Sequence, residues 1–286
     1  MPSIADSSAI LDSERVLAQH QVALTLIKAQ TEDPQRPALR WLDLACGRGQ
    51  ILQHVTDLLS PMGRAKVHYR GVDSNQDYCR ETESFGKGIF STCEVYLSEI
   101  EQFEAQLKKG ETFDAVTITN AIHEIAPNQL VKLLPRALGR VARSGFLFAY
   151  DMEQPPDLEL GAVSWHAKEI EDIVQGLLLS VGETRFLPSV STISHKTCKA
   201  WQLHVDRSHI SDKITYEDFT GPSAIKAVRE IVSKKLENKL EDLTAALGSS
   251  KKYDKGISLS RESIIRMTYD YYAVCDAIDC LRGEQQ

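Results

Sequence analysis

A chain of 286 residues, 42% of them hydrophobic and 26% charged, has the make-up of an ordinary globular protein, long enough for one large domain with an appendage. Its net charge of −7 argues against a broad electrostatic grip on nucleic acid, no apolar run approaches the length of a membrane span, and nothing near its start reads as a signal segment. Six cysteines, Cys46, Cys79, Cys93, Cys198, Cys275 and Cys280, include no CxxC pair, so a bound metal is not expected and reduced thiols in the cytoplasm are.

In chain order, the first expected element is a helix. Asp12-Ser13 can cap it, Val16, Leu17, Val22, Leu24, Leu26 and Ile27 give it an apolar side, and "TEDP" ends it. Strands and helices then alternate. Residues 38–44 read as a strand, 49–59 as a helix, 68–72 as a second strand and 76–84 as a second helix. Short β-rich runs follow at 90–97 and 113–119. Residues 129–140 repeat at helical spacing with a kink expected at Pro135, "GFLFAY" at 145–150 is a fifth strand, and 165–180 a helix. Runs 185–193 and 200–205 flank "SHKTCK" as a hairpin. This alternation predicts an α/β fold, a doubly wound and mostly parallel sheet with an antiparallel terminal hairpin. Three segments are expected: 1–35, helical; 36–210, the sheet domain; and 211–286, a helical appendage.

The appendage holds two amphipathic helices, 222–247 and 259–281. The first places Ile225, Val228, Ile231, Val232, Leu236, Leu240 and Leu243 on one face. The second offers Ile264, Ile265, Met267, Tyr271, Val274, Ile278 and Leu281. Such stripes need burial, because each large side chain left in water costs roughly 1.5–3 kcal/mol. They are expected to pack on the sheet domain, helping to enclose its pocket, or across a homodimer. With 12 Lys+Arg against 13 Asp+Glu in residues 211–286, the appendage is no basic arm for RNA.

The chemistry concentrates in "RWLDLACGRGQ", residues 40–50. A strand that runs through Gly47 and Gly49 into a helix points backbone N–H groups and a helix N-terminus at a ligand. A dinucleotide fingerprint would need a third glycine where Leu52 stands, and no Gly-Lys-Ser/Thr marks a phosphate loop. Asp43, on the strand before the turn, can meet a cationic group. Asp73, ending the neighbouring strand, can accept hydrogen bonds from ribose hydroxyls. The set suits a nucleoside with an amino-acid tail.

At "LDLACGRGQ", "GVDSN", "FDAVTITNAIHEI" and "GFLFAYD" the chain resembles the class I S-adenosylmethionine-dependent methyltransferases, over about residues 36–207. The resemblance implies a seven-stranded sheet and S-adenosyl-L-methionine as cofactor. It implies Gly47 and Gly49 under the methionine portion, Asp43 at its amino group and Asp73 at the ribose. Ser98, Glu99 and Ile100 would flank adenine, and Asn120 would lie near the methionine tail and transferred methyl. In "TNAIHEI", His123 followed by Glu124 also resembles a motif of small-molecule O-methyltransferases, in which the histidine is a general base; Glu124 would orient it. A packing or loop-anchoring role for His123 is the competing reading. Tyr150, Asp151, Glu153, Trp165 and His166 fall where acceptors often approach in that family, with Tyr150 and Trp165 either lining a pocket or belonging to the core. A small-molecule acceptor, possibly methylated at oxygen, is the leading expectation. An RNA or protein acceptor, or an inactive methyltransferase-like subunit, are the alternatives.

Overall fold

The computed structural model describes residues 13–33, 35–153, 160–195, 198–250 and 260–283. Strands β1 (Leu39–Leu44), β2 (Val67–Asp73), β3 (Thr92–Leu97), β4 (Phe113–Thr119), β5 (Val141–Met152), β6 (Ser189–His195) and β7 (Cys198–Asp206) form one seven-stranded sheet in the order β3-β2-β1-β4-β5-β7-β6. The first five run parallel, and β7 inserts antiparallel between β5 and β6. The expected α/β architecture with its antiparallel hairpin is the one observed.

Both faces of the central strands are apolar because both are covered by helices. On one face Trp41, Tyr69, Ala115, Phe146, Phe148 and Tyr150 form a core. Helices α1 (Ser13–Thr31), α2 (Gln50–Gln53), α3 (Val55–Leu58), α4 (Pro61–Ala65) and α5 (Gln76–Lys87) occupy this side. The alternate residues Leu42, Leu44, Val116, Ile118, Leu147 and Ala149 join the larger core on the other face. That side carries α6 (Pro127–Gly139), α7 (Ala167–Ser180), α8 (Tyr216–Thr220), α9 (Pro222–Ser250) and α10 (Arg261–Gly283).

The helix expected over 49–59 is broken at His54 into α2 and α3, and α4 follows, started by Pro61 and by Ser60, whose Oγ accepts the Gly63 N–H at 3.0 Å. The Asp12 cap and "KT" within the hairpin lie outside the described residues, as does most of the linker between the last two helices. No helix among the described residues is long and apolar enough to cross a membrane.

The appendage packs onto the sheet domain. Val228, Val232 and Leu236 of α9 are fully buried in the larger core. Lys235 and Lys239 reach down to α7, to Asp172 at 2.5 Å and Glu169 at 2.7 Å. Only the second half of α10 meets this core, through Val274, Ala277, Ile278 and Leu281. Ile264 and Ile265, expected in the buried stripe, are exposed. Helical spacing marked them as apolar but not which face of the helix meets the core.

Gly176 shows how closely α7 and α9 approach: a Cβ built there would lie 2.0 Å from Ile231 Cδ1. The atom met is the end of a half-buried side chain that can turn aside, so Gly176→Ala is expected to leave stability within about 1 kcal/mol of the parent in urea denaturation, alanine's better helix propensity offsetting the adjustment of Ile231. A loss well beyond that would show Ile231 to be fixed in place.

Candidate functional site

Strand order reverses between β1 and β4, so the connections leaving their C-terminal ends diverge and open a crevice, the usual ligand position in such sheets. Two non-glycine residues there adopt the left-handed conformation, Ala45 (φ 56°) after β1 and Asn120 (φ 53°) after β4. Such backbone is uncommon outside glycine and persists where surrounding contacts hold it. Asn120 is held by its N–H, which donates to the Tyr150 carbonyl at 2.8 Å. The cysteine of the turn is anchored likewise, Cys46 N–H to Val72 O at 3.0 Å.

Gly47 (φ 54°) and Gly49 (φ 71°) continue the turn in the same region. The turn is braced from the next strand. Asp73 Oδ2 accepts the Gly47 N–H at 2.8 Å, Asp73 Oδ1 accepts the Asn75 N–H at 2.9 Å, and Thr82 Oγ1 donates to the Gly47 carbonyl at 2.7 Å. Asp73 is half-buried, and its carboxylate shapes the turn. The Ser98 N–H donates to the Asp73 carbonyl at 2.9 Å. This ties the segment Ser98, Glu99 and Ile100, which follows β3, to the same edge. Gly47, Gly49, Asp73, Ser98 and Asn120 thus converge on one end of the sheet.

Asp43 sits beneath the turn, 1% exposed. Thr117 Oγ1 donates to its Oδ1 at 2.5 Å and Tyr69 Oη to its Oδ2 at 2.8 Å; Trp41 Nε1 in turn donates to Thr117 Oγ1 at 2.8 Å. Burial pushes the Asp43 carboxyl up to about 6; the Thr117 and Tyr69 hydrogen bonds oppose the rise and the Asp73 charge adds to it. Its folded value lies above its ordinary 3.8, so the folded state binds the proton more tightly than the unfolded one. Stability from this group is greatest below pH 4, falls as pH rises to about 6 and is level beyond, a loss of roughly 3 kcal/mol in all. Urea denaturation against pH should show that slope in the parent and lack it in Asp43→Asn; parallel profiles would contradict it.

A second cluster joins the ends of β4 and β5. Asp151, 1% exposed, accepts three hydrogen bonds: from the His123 backbone N–H at 2.7 Å, from the Met152 N–H at 2.7 Å, and at 2.6 Å with His123 Nδ1. His123 is itself only 2% exposed. Orientation of the imidazole, expected from Glu124, comes from Asp151. The Glu124 side chain is 68% exposed, with Oε1 3.8 Å from His123 Nε2. The sequence places Asp151 after the fifth strand without giving it a partner. Its position is the signal, an acidic residue ending the strand beside the one that precedes His123.

Tyr150 and Trp165 belong to the cores on opposite faces of the sheet, at 3% and 1% exposure. They do not line a common pocket: Tyr150 lies on β5 and faces one core, and Trp165, two residues before α7, packs in the other. Glu153 instead fixes the start of α7, accepting the Ala167 N–H at 3.1 Å. Cys46 is buried, and a Cβ on Gly71 would lie 2.9 Å from its Sγ, so it serves packing. Among the described residues no group of three or more His, Cys, Asp or Glu is placed to hold a metal ion.

No protein-family model matches the chain, and no curated protein matches its sequence. Solved structures are similar to it. One is a carbon methyltransferase, CurJ, at 13% identity and a TM-score of 0.50 over 71% of this chain and 58% of that one. Another is the magnesium protoporphyrin IX methyltransferase of Synechocystis PCC 6803 with bound SAM, at 16% identity, 70% and 84% coverage and a TM-score of 0.47. A third is a SAM-dependent methyltransferase from Archaeoglobus fulgidus, at 16% identity, 68% and 93% coverage and a TM-score of 0.48.

Proposed function

We propose that this chain, which has the fold of the class I S-adenosylmethionine-dependent methyltransferases, binds S-adenosylmethionine and transfers its methyl group to a small-molecule acceptor. One observation carries the reading: the left-handed glycine turn at the switch point, with its Gly47 N–H held by Asp73 from the adjacent strand. The residues present fit the cofactor. Gly47 and Gly49 supply the left-handed backbone of the turn, where a Cβ would crowd Gln50 and Thr82, and Asp73 supplies a carboxylate for vicinal hydroxyls. Ser98, Glu99 and Ile100 would border the adenine, and Asn120 the methionine portion. Asp43, enclosed below the turn, would act on the ligand's ammonium through its negative field and by shaping the turn rather than by direct contact.

When bound, S-adenosylmethionine supplies a methyl group made electrophilic by its sulfonium. The protein's task is then alignment, and removal of a proton where the acceptor carries one. His123 is the candidate base. With Nδ1 held against Asp151, the imidazole would take the acceptor's proton at Nε2, and Asp151 would stabilise the imidazolium formed. For a hydroxyl acceptor this gives O-methylation.

A small acceptor is favoured over RNA because the described loops at this edge are acidic. Asp73, Glu99, Glu124 and Glu153 stand against two basic residues, Arg48, which is itself 3.8 Å from Glu81, and Lys199, beside Glu153 at the start of β7. Incubating the protein with methyl-labelled S-adenosylmethionine and a fractionated cell extract tests this. Label is expected in the low-molecular-weight fraction; label confined to RNA or protein would overturn the assignment, and none in any fraction would favour an inactive subunit.

A further inference from the structure

Helix α10 carries two seams. Its inner one, Val274, Ala277, Ile278 and Leu281, is buried against the core. The outer one runs Arg261–Glu262, Ile265, Thr268–Tyr269, Tyr272, Asp276 and Asp279–Cys280 at three- and four-residue intervals, within about 60° of Ile265 at 100° per residue. At its centre Ile265 is 43% exposed, Tyr269 51% and Tyr272 62%. Three large apolar side chains on neighbouring turns make a contiguous patch, of a kind that marks an interaction surface rather than scattered exposure. Arg261 at one end and Asp276 and Asp279 at the other are exposed, and none of them forms an ion pair with another described residue of its own chain.

The seam thus carries Arg261 and Glu262 before its apolar centre and Asp276 and Asp279 after it. Its one basic residue meets an acidic one across the pair only when the partner helix is reversed. A parallel, in-register pair would set Arg261 on Arg261 and Asp276 on Asp276, juxtaposing like charges. An antiparallel pair about a two-fold axis passing between Thr268 and Tyr269 sets Arg261 against Asp276 of the partner subunit. The same axis places Ile265 against Tyr272 of the partner subunit and Thr268 against Tyr269 of the partner subunit. Opposed helix dipoles favour the same arrangement.

We propose that this outer face of α10 is where the protein meets a second copy of itself, in an isologous antiparallel helix pair. The occupant is a second copy rather than another partner because Arg261, Ile265 and Thr268 each find a complement within the seam, at Asp276, Tyr272 and Tyr269. The contact uses residues remote from His123 and Asp73, so it does not depend on the reading of the crevice. A single helix pair falls below the standard interface of about 1,600 Å², so the dimer is expected to be weak, with a Kd in roughly the micromolar range.

Sedimentation velocity of the full chain, from about 1 to 200 µM, tests it, since that span brackets the expected Kd. The parent is expected to shift from monomer to dimer across the range, and Ile265→Glu to remain monomeric. Arg261→Glu and Asp276→Arg should each weaken association several-fold, and the two together should restore it, since the swapped charges again face each other. All four are surface changes and should melt within a few degrees of the parent. A parent that stays monomeric throughout, a dimer indifferent to Ile265→Glu, or a double variant no better than the single ones would overturn the proposal.

Discussion

His123→Ala is expected to lower methyl transfer to a hydroxyl acceptor by roughly 10²–10⁴-fold, the usual contribution of a positioned general base, with affinity for S-adenosylmethionine nearly intact. The geometry gives this expectation its content. The imidazole is buried, and its Nδ1 lies 2.6 Å from Asp151 Oδ1. That carboxylate also accepts the His123 backbone N–H, so side chain and loop are fixed by the same residue. Asp151→Asn would keep the shape but turn an amide N–H₂ or a neutral oxygen toward Nδ1, removing the charge that stabilises the imidazolium. It should reduce turnover nearly as much. A loop anchor would behave differently: His123→Ala would then lower thermal stability while turnover at saturating acceptor stayed at the parental level, and that outcome would remove His123 from the chemistry. The acceptor for these assays is the one the labelling experiment identifies.

Asp73→Ala is expected to weaken S-adenosylmethionine binding by about ten- to a hundredfold, from charge-assisted hydrogen bonds of roughly 1.5–3 kcal/mol. Two losses combine. The ribose hydroxyls lose their acceptor, and the Gly47 N–H loses the oxygen that sits 2.8 Å away, loosening the turn itself. The effect should therefore fall toward the upper end of that range. Asp73→Asn can retain an oxygen for Gly47 but not the charge, and is expected between the two. Unchanged affinity in a folded Asp73→Ala protein would remove Asp73 from the site.

The sheet was legible because its strands are short apolar runs separated by helical spacing, and β4 is read to the residue at Phe113–Thr119. The glycine turn was legible because Gly47 and Gly49 stand at a strand end where their entropy otherwise counts against them. What chain order conceals is lateral contact. Asp43 reads as a ligand carboxylate from its place before the turn, yet Thr117 lies beside it across β4 and Tyr69 near it on β2, and together they enclose it. Glu124 adjoins His123 in sequence, but the neighbouring strand end brings Asp151 to the imidazole instead. The same limit applies to α10, where the period marks apolar residues without saying which of two seams the core will cover.

Isothermal titration of the full chain with S-adenosylmethionine tests the central claim most directly. A saturable, single-site isotherm is expected, competed by S-adenosylhomocysteine and weakened in Asp73→Ala. Absence of binding by a chain that unfolds cooperatively, and is therefore folded at the start, would contradict it.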